Sequence, residues 1–85
     1  MHKYLRLTLY KDPSIAEHFG PTLVNIMYVT AFFEWSASPD KPLMTKVILS
    51  NGQQMHVKES VESIGRWMNQ AEDSNKIIFG GEDEI

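Results

Sequence analysis

Hydrophobic and polar residues alternate from Tyr4 to Tyr10. Leu5, Leu7 and Leu9 share one side of an extended chain, which predicts a half-buried β-strand. The alternation ends after Tyr10. A short turn of helix is predicted over residues 15–19, because a Ser or Asp stands before it as a cap and a Gly-Pro pair follows it.

The most apolar segment, residues 22–35, is rich in β-branched and aromatic side chains. It is long enough for a helix, yet these residue types favour a pleated surface. We therefore predict two strands, at 22–26 and 29–36. A bend is expected between them near Asn25, because asparagine tolerates left-handed backbone and bonds locally. Two prolines mark residues 36–42 as an exposed loop.

A hairpin followed by a helix is predicted over residues 43–71. Two strands, 43–50 and 53–58, flank an Asn-Gly pair that favours a two-residue type I′ turn. Ser60 suits the N-cap of the helix. Gly65 is unfavourable in a helix, and the usual reason for such a glycine is close approach of a neighbouring backbone. The helix has one apolar stripe, formed by Val61, Ile64, Trp67, Met68 and Ala71.

Together these elements predict an α+β fold. The expected architecture is a small antiparallel β-meander or half-open barrel of about five strands with one C-terminal amphipathic helix. We assign residues 1–71 to this single small domain. Residues 72–85 form an acidic tail, which is expected to be partly flexible or to add a short extra strand near Ile78.

Length and composition narrow the function classes. Eighty-five residues allow one small core, and oligomerisation would bury more surface. The chain has no cysteine, which fits a cytoplasmic protein. No apolar run approaches the roughly 20 residues that span a bilayer, so we expect no membrane partner. The net charge of −3 divides into −4 over residues 72–85 and +1 over the rest, which disfavours polynucleotide binding.

The sequence predicts no catalytic site. His2, His18 and His56 lack partners at ligand spacing, and a zinc site needs three or four convergent ligands. No nucleophile elbow and no phosphate-binding loop is present. We therefore expect a protein that is not an enzyme and that holds no metal or cofactor.

Basic residues around the predicted helix start form a candidate site for a small anion. Lys58 and Ser60 precede the helix, whose free backbone N–H groups attract negative charge. Arg66, His56 and Lys46 would join them if the fold or a second subunit brings these residues together. The alternative is a set of solvated charges on polar faces.

Aromatic residues form a candidate interface, which comprises Tyr28, Phe32, Phe33 and Trp35. In an extended chain Phe33 and Trp35 share one face and Phe32 lies on the other. One face must build the core, so the other is partly exposed, and exposed aromatic residues often mark a partner surface. The alternative is a core that uses both faces.

The segments Val47–Gly52 and Val57–Glu62, with Leu23–Asn25 and Val29–Glu34 upstream, resemble the FlbD-like family of small flagellar and swarming motility proteins. The resemblance extends roughly over residues 22–64. It implies a shared architecture and a role in motility, and it supplies no catalytic residues.

Two functions follow as hypotheses. The first is a non-catalytic protein-interaction module, homo-oligomeric, that binds a host or partner protein through its aromatic segment. The alternative is a phage-type counter-defence protein. Such a protein would sequester a small anionic ligand, such as a signalling nucleotide, at a groove between subunits.

Overall fold

A computed structural model describes residues 2–12 and 17–80, with the side chains of residues 17–19 left out of the description. It confirms the α+β fold, as one open six-stranded sheet and a 13-residue helix near the C-terminus. The elements in chain order are β1 (Tyr4–Asp12), β2 (Glu17–Asn25), a 3-10 turn (Ile26–Tyr28), β3 (Val29–Trp35), β4 (Met44–Leu49), β5 (Gln54–Val57), α1 (Val61–Asp73) and β6 (Ile78–Phe79).

Two antiparallel units form the sheet, in the strand order β2-β1-β5-β4-β3. One unit is the β1–β2 hairpin and the other is the β3–β4–β5 meander. They meet at a short seam, where Leu9 pairs with Val57 and the Lys58 N–H donates to the Thr8 carbonyl at 2.9 Å. At the other end of β1, the short strand β6 pairs with β1 in parallel, Ile78 with Tyr4 and Phe79 with Leu5.

Glu59 closes this seam with its side chain. Its carboxylate accepts hydrogen bonds from the Thr8 N–H at 2.8 Å and from the Thr8 hydroxyl at 3.0 Å. Its main-chain carbonyl accepts a bond from the hydroxyl of buried Thr45 at 2.6 Å. Hydrogen bonds to a charged group stabilise by about 1.5–3 kcal/mol. One residue therefore ties β1 to β4 immediately before the helix.

The core lies between α1 and the face of the sheet that it covers, here called the inner face. The predicted apolar stripe is confirmed: Ile64, Trp67 and Ala71 are buried, and Val61 and Met68 are half-buried. Each large apolar side chain that becomes fully buried contributes about 1.5–3 kcal/mol. The sheet and the C-terminal segment supply the other buried members of this cluster, Leu5, Leu7, Val24, Val47, Val57 and Phe79.

Both ends of α1 are capped. The predicted N-cap is confirmed, because the Ser60 hydroxyl accepts a hydrogen bond from the Ser63 N–H at 3.1 Å. At the C-terminal end the Lys3 ammonium donates to the carbonyls of Ala71 and Ser74, the latter at 2.6 Å. A cation is favourable there because unpaired carbonyls make this end of a helix negative. The chain start is thereby fastened to the helix end.

The short helix predicted over residues 15–19 is wrong for the part that the structure describes. Residues 17–19 are extended and belong to β2. Gly20 and Pro21, expected to end a helix, lie within the same strand and pair with Leu9 and Thr8. β2 is an edge strand, where a proline can be accommodated. The rest of that prediction, including the Ser14 cap, lies outside the described residues.

The bend between the two central strands is confirmed. The strands end at Asn25 and resume at Val29, and the 3-10 turn fills the gap. The Asn25 side chain accepts a hydrogen bond from the Met27 N–H at 2.9 Å. Asparagine therefore stabilises the turn by a local bond, as its position suggested.

The hairpin between β4 and β5 is present, but its loop differs from the two-residue turn that was predicted. Leu49 and Gln53 close a loop of the three residues 50–52, in which the Leu49 N–H donates to the Gln53 carbonyl at 2.9 Å. Gly52 has φ +87°, so it takes the left-handed position. Three-residue hairpin loops commonly combine a tight turn with one such residue.

The extra strand considered for the tail is present as β6. Phe79 is buried in the core, which therefore continues past residue 71. Gly80 follows with φ +100°, and a Cβ atom placed on it would lie 2.8 Å from the Arg6 carbonyl oxygen and 3.1 Å from the Trp67 ring. Only glycine allows this approach. Residues 81–85 lie outside the description.

We expect Gly80→Ala to lower the free energy of unfolding by about 2 kcal/mol or more. An unfavourable backbone conformation costs on the order of 1–3 kcal/mol, and the overlap with a main-chain carbonyl adds to it. Urea unfolding followed by tryptophan fluorescence measures the change.

Gly65→Ala is the matched control, with an effect of opposite sign. A Cβ atom at Gly65 meets nothing within 4 Å, so the usual reason for a glycine within a helix does not apply here. Alanine should stabilise the helix by about 0.5–1 kcal/mol. Equal unfolding midpoints for both variants would contradict the packing described for Gly80.

Candidate functional site

The sheet face opposite α1, here called the outer face, carries a group of aromatic and basic side chains. The register of β3, β4 and β5 places Phe33, Lys46 and His56 side by side across three strands. Trp35 shares this face because it stands two residues after Phe33. Phe32 points to the inner face and packs against the core. The predicted division of the aromatic residues between two faces is therefore confirmed.

Trp35, Lys46 and His56 form a group that we call the outer cluster. The ring centroids of Trp35 and His56 lie 4.4 Å apart with the planes tilted by 51°. The Lys46 ammonium lies 5.0 Å from the Trp35 ring centroid, within the range of a cation–π contact. Because Trp35 is on β3 and His56 is on β5, the indole ring must extend across β4.

The surroundings of His56 disfavour its protonated form. Burial, with the nearby positive charge of Lys46 as a second cause, lowers the pKa of His56 below the ordinary histidine value. Its Nε2 atom is buried without a hydrogen-bond partner among the described residues. A proton added at Nε2 would find no hydrogen-bond acceptor and would bring a second positive charge close to Lys46. The surroundings of His56 therefore disfavour its protonation.

This arrangement predicts a dependence of stability on pH. Because the folded-state pKa of His56 is lowered, the unfolded chain binds the proton more readily. The free energy of unfolding should therefore fall as the pH drops below about 6.5, and flatten once His56 is protonated in both states. Urea midpoints between pH 7.5 and 5 test this.

His56→Phe should remove this part of the pH dependence, because it keeps a ring beside Trp35 and removes the titrating group. His2→Gln is the control, since His2 is exposed and its replacement should leave the slope in place. Identical slopes for wild type and His56→Phe would show that His56 is not the responsible group.

β3 ends the sheet, and the described part of the chain places no strand beyond it. The opposite edge, β2, contains Pro21, which lacks an N–H donor and so hinders the pairing of another strand. β3 contains no proline and no lysine, and its one charged residue is Glu34. The β3 edge is therefore the less protected of the two.

The hydrogen-bond pattern shows which groups of β3 point away from the sheet. Ser50 donates to the Tyr28 carbonyl at 2.8 Å, so alternate residues of β4, counted back from Ser50, bond to β3. Lys46 is one of these residues, and its partner is Phe33. The chain neighbours of Phe33, residues 32 and 34, consequently direct their N–H and carbonyl groups to the free edge.

Exposed apolar side chains accompany this edge. Phe33 is 43% exposed, and Met27 and Tyr28, at the start of the strand, are 73% and 54% exposed. Of the residues predicted to form an interface, Tyr28 and Phe33 are thus available to a partner. Trp35 is half-buried in the outer cluster, and Phe32 is half-buried beneath the sheet.

The five residues predicted to bind an anion are divided between two places. Lys46 and His56 belong to the outer cluster. Ser60 and Arg66 lie on the helix side, where both contact the Ser63 hydroxyl, at 3.0 Å and 3.4 Å. Within one chain, the structure therefore does not bring the five together.

Lys58, the remaining member, is exposed after β5. With Ser60 it lines a shallow cleft of about 90 Å³ at the helix start. Glu34 lines the same cleft, and its carboxylate opposes the binding of a second negative charge. The cleft is far smaller than the 300–1,000 Å³ or so of typical small-molecule sites.

Sequence reasoning identified the aromatic residues but not their arrangement. The contact of Trp35 with His56 depends on a register that spans three strands, and no local pattern encodes it. The exposure of the β3 edge depends on the strand order. The β1–β2 hairpin pairs with β5, at one side of the meander, and β3 at the other side is left without a neighbour among the described strands.

Residues 2–12 and 17–80 contain no group of three or more side chains able to hold a metal ion. No described helix has the length and apolar character needed to cross a membrane. No family model, no curated protein and no solved structure matches the chain. The resemblance to FlbD-like proteins accordingly stays a prediction, and the fold establishes a small α+β domain.

Proposed function

We propose that this chain is a non-catalytic protein-interaction module that binds another protein chain at the β3 edge and the adjoining outer face. The observation that carries the proposal is a free edge strand with an exposed aromatic residue, Phe33, near its middle. Both the hydrogen-bonding groups and the apolar side chain of β3 would gain partners from a second strand.

Strand addition supplies affinity and specificity from different sources. The outward N–H and carbonyl groups of residues 32 and 34 offer hydrogen bonds to any extended segment. Phe33 would select a segment with an apolar residue, because burying the exposed 43% of its side chain contributes about 1 kcal/mol. Met27 and Tyr28 extend this apolar surface beyond the strand start.

The outer cluster supports this role by holding its side chains in place. On the outer face, the Trp35 ring lies over β4, away from the β3 edge, and contacts His56 and Lys46. It therefore leaves Phe33 as the aromatic residue of β3 that is exposed at the edge. A partner would meet a surface that is already ordered, which lowers the entropy cost of binding.

The alternative, sequestration of a small anionic ligand, has less support. The predicted ligand residues are divided between two faces, and the cleft at Lys58 is small and includes Glu34. A groove between subunits would have to reunite them.

Phe33→Ser should weaken partner binding while the chain stays folded. We expect about fivefold weaker affinity, because a partner would bury only the 43% of this side chain that is exposed, which contributes about 1 kcal/mol. Wild type and variants are each immobilised, and the proteins that they retain in near-stoichiometric amount are compared. The affinity for the purified partner is then measured by calorimetry.

Leu23→Ser is the matched control. Leu23 is 53% exposed on β2, so this variant makes a similar surface change at the opposite edge. It should bind as wild type does. The proposal is excluded if wild type binds neither a partner nor itself, or if the two substitutions weaken binding equally.

A further inference from the structure

We infer that the strand added to β3 is β3 of a second copy of this chain, paired antiparallel across a two-fold axis at Phe33. This inference rests on the proposed function and names its partner. A two-fold axis through Phe33 places Phe32 opposite Glu34 of the other copy, and the reverse. All the outward main-chain groups of residues 32 and 34 then find partners.

The side chains favour the same register. Phe33 would stand opposite its own copy at a non-hydrogen-bonded position, where facing side chains lie closest. Aromatic pairs at such positions are stabilising. Ala31 would stand opposite Trp35, so a small residue meets a large one. The exposed Phe33 ring would thus be covered without a clash.

Neighbouring registers are less favourable. An axis through Glu34 would place two carboxylates directly opposite each other, which is destabilising. An axis through Phe32 would require Thr30 as a ladder partner, yet the β3–β4 pairing is irregular between Val29 and Ala31. That register also sets Phe33 opposite Ala31, which leaves part of the ring exposed.

The assembly would close at two copies. Self-pairing about a two-fold axis consumes the β3 edge of both copies. The remaining edges are β2 strands that contain Pro21, which hinders further pairing. The expected product is therefore a dimer with one continuous sheet rather than a fibre.

Disulfide formation tests the register directly, because the chain has no cysteine of its own. In Phe33→Cys the two thiols would face each other at a Cα separation of about 4.5 Å, which a disulfide can bridge. The main-chain bonds of residues 32 and 34 remain, and a high protein concentration compensates for the lost phenylalanine ring. We expect this variant to form a covalent dimer at least tenfold faster under mild oxidation than Ala31→Cys or Leu23→Cys. Faster cross-linking by either control would overturn the register.

Glu34→Pro tests the edge without relying on Phe33. Proline removes an outward N–H that the dimer needs and the single chain does not. Sedimentation should show a dimer for wild type and at least tenfold weaker association for this variant, with the same urea midpoint at low protein concentration. Unchanged association would overturn the inference.

A wild-type chain that stays monomeric at about 1 mM would also overturn self-pairing, because it sets the dissociation constant above the millimolar range. The proposed function survives that result if a different protein binds at Phe33, and it fails together with self-pairing only if the wild type binds no chain at all. Failure of the dimer and failure of the interaction module are thereby distinguishable.

Discussion

The fold depends on the short seam between its two sheet units. Only a single residue pair and one following main-chain bond join β1 to β5, so the strand ladder alone is a weak joint. The Glu59 carboxylate extends the joint by binding Thr8 twice, and its carbonyl engages the buried Thr45 hydroxyl. The charged side chain thus takes the place of a missing strand carbonyl, and the helix starts directly after it.

This seam decides which surfaces are covered. Since α1 begins at the junction, its apolar stripe lies over both units and seals the inner face. The C-terminal part of α1 is held by two contacts. Gly80 packs against the Trp67 ring, and Lys3 donates to the last carbonyls of the helix. The helix is then committed to the inner face, and among the described residues no strand pairs with the outer edge of β3. The position of the candidate surface is therefore a consequence of how the core is closed.

The sequence predicted the features that depend on local periodicity. The helix stripe, the Ser60 cap and the bend at Asn25 follow from spacing and short-range bonds, and the structure has all three. Residues 17–21 were predicted wrongly because pairing with β1 overrides their turn-like composition. No neighbouring atom lies close to Gly65. The glycine in close contact is Gly80, which lies against Trp67 because β6 pairs with β1.

The candidate surface could be predicted in composition but not in geometry. Alternation along β3 already separates Phe33 and Trp35 from Phe32, yet both outer residues would be expected to be equally exposed. The structure treats them differently, because Lys46 and His56 hold Trp35 above β4 while Phe33 lacks such a cover. Phe33 remains 43% exposed at an unprotected edge, and transfer of that apolar area out of water would be favourable. This exposed part of the Phe33 ring is the area that the proposed partner strand would cover.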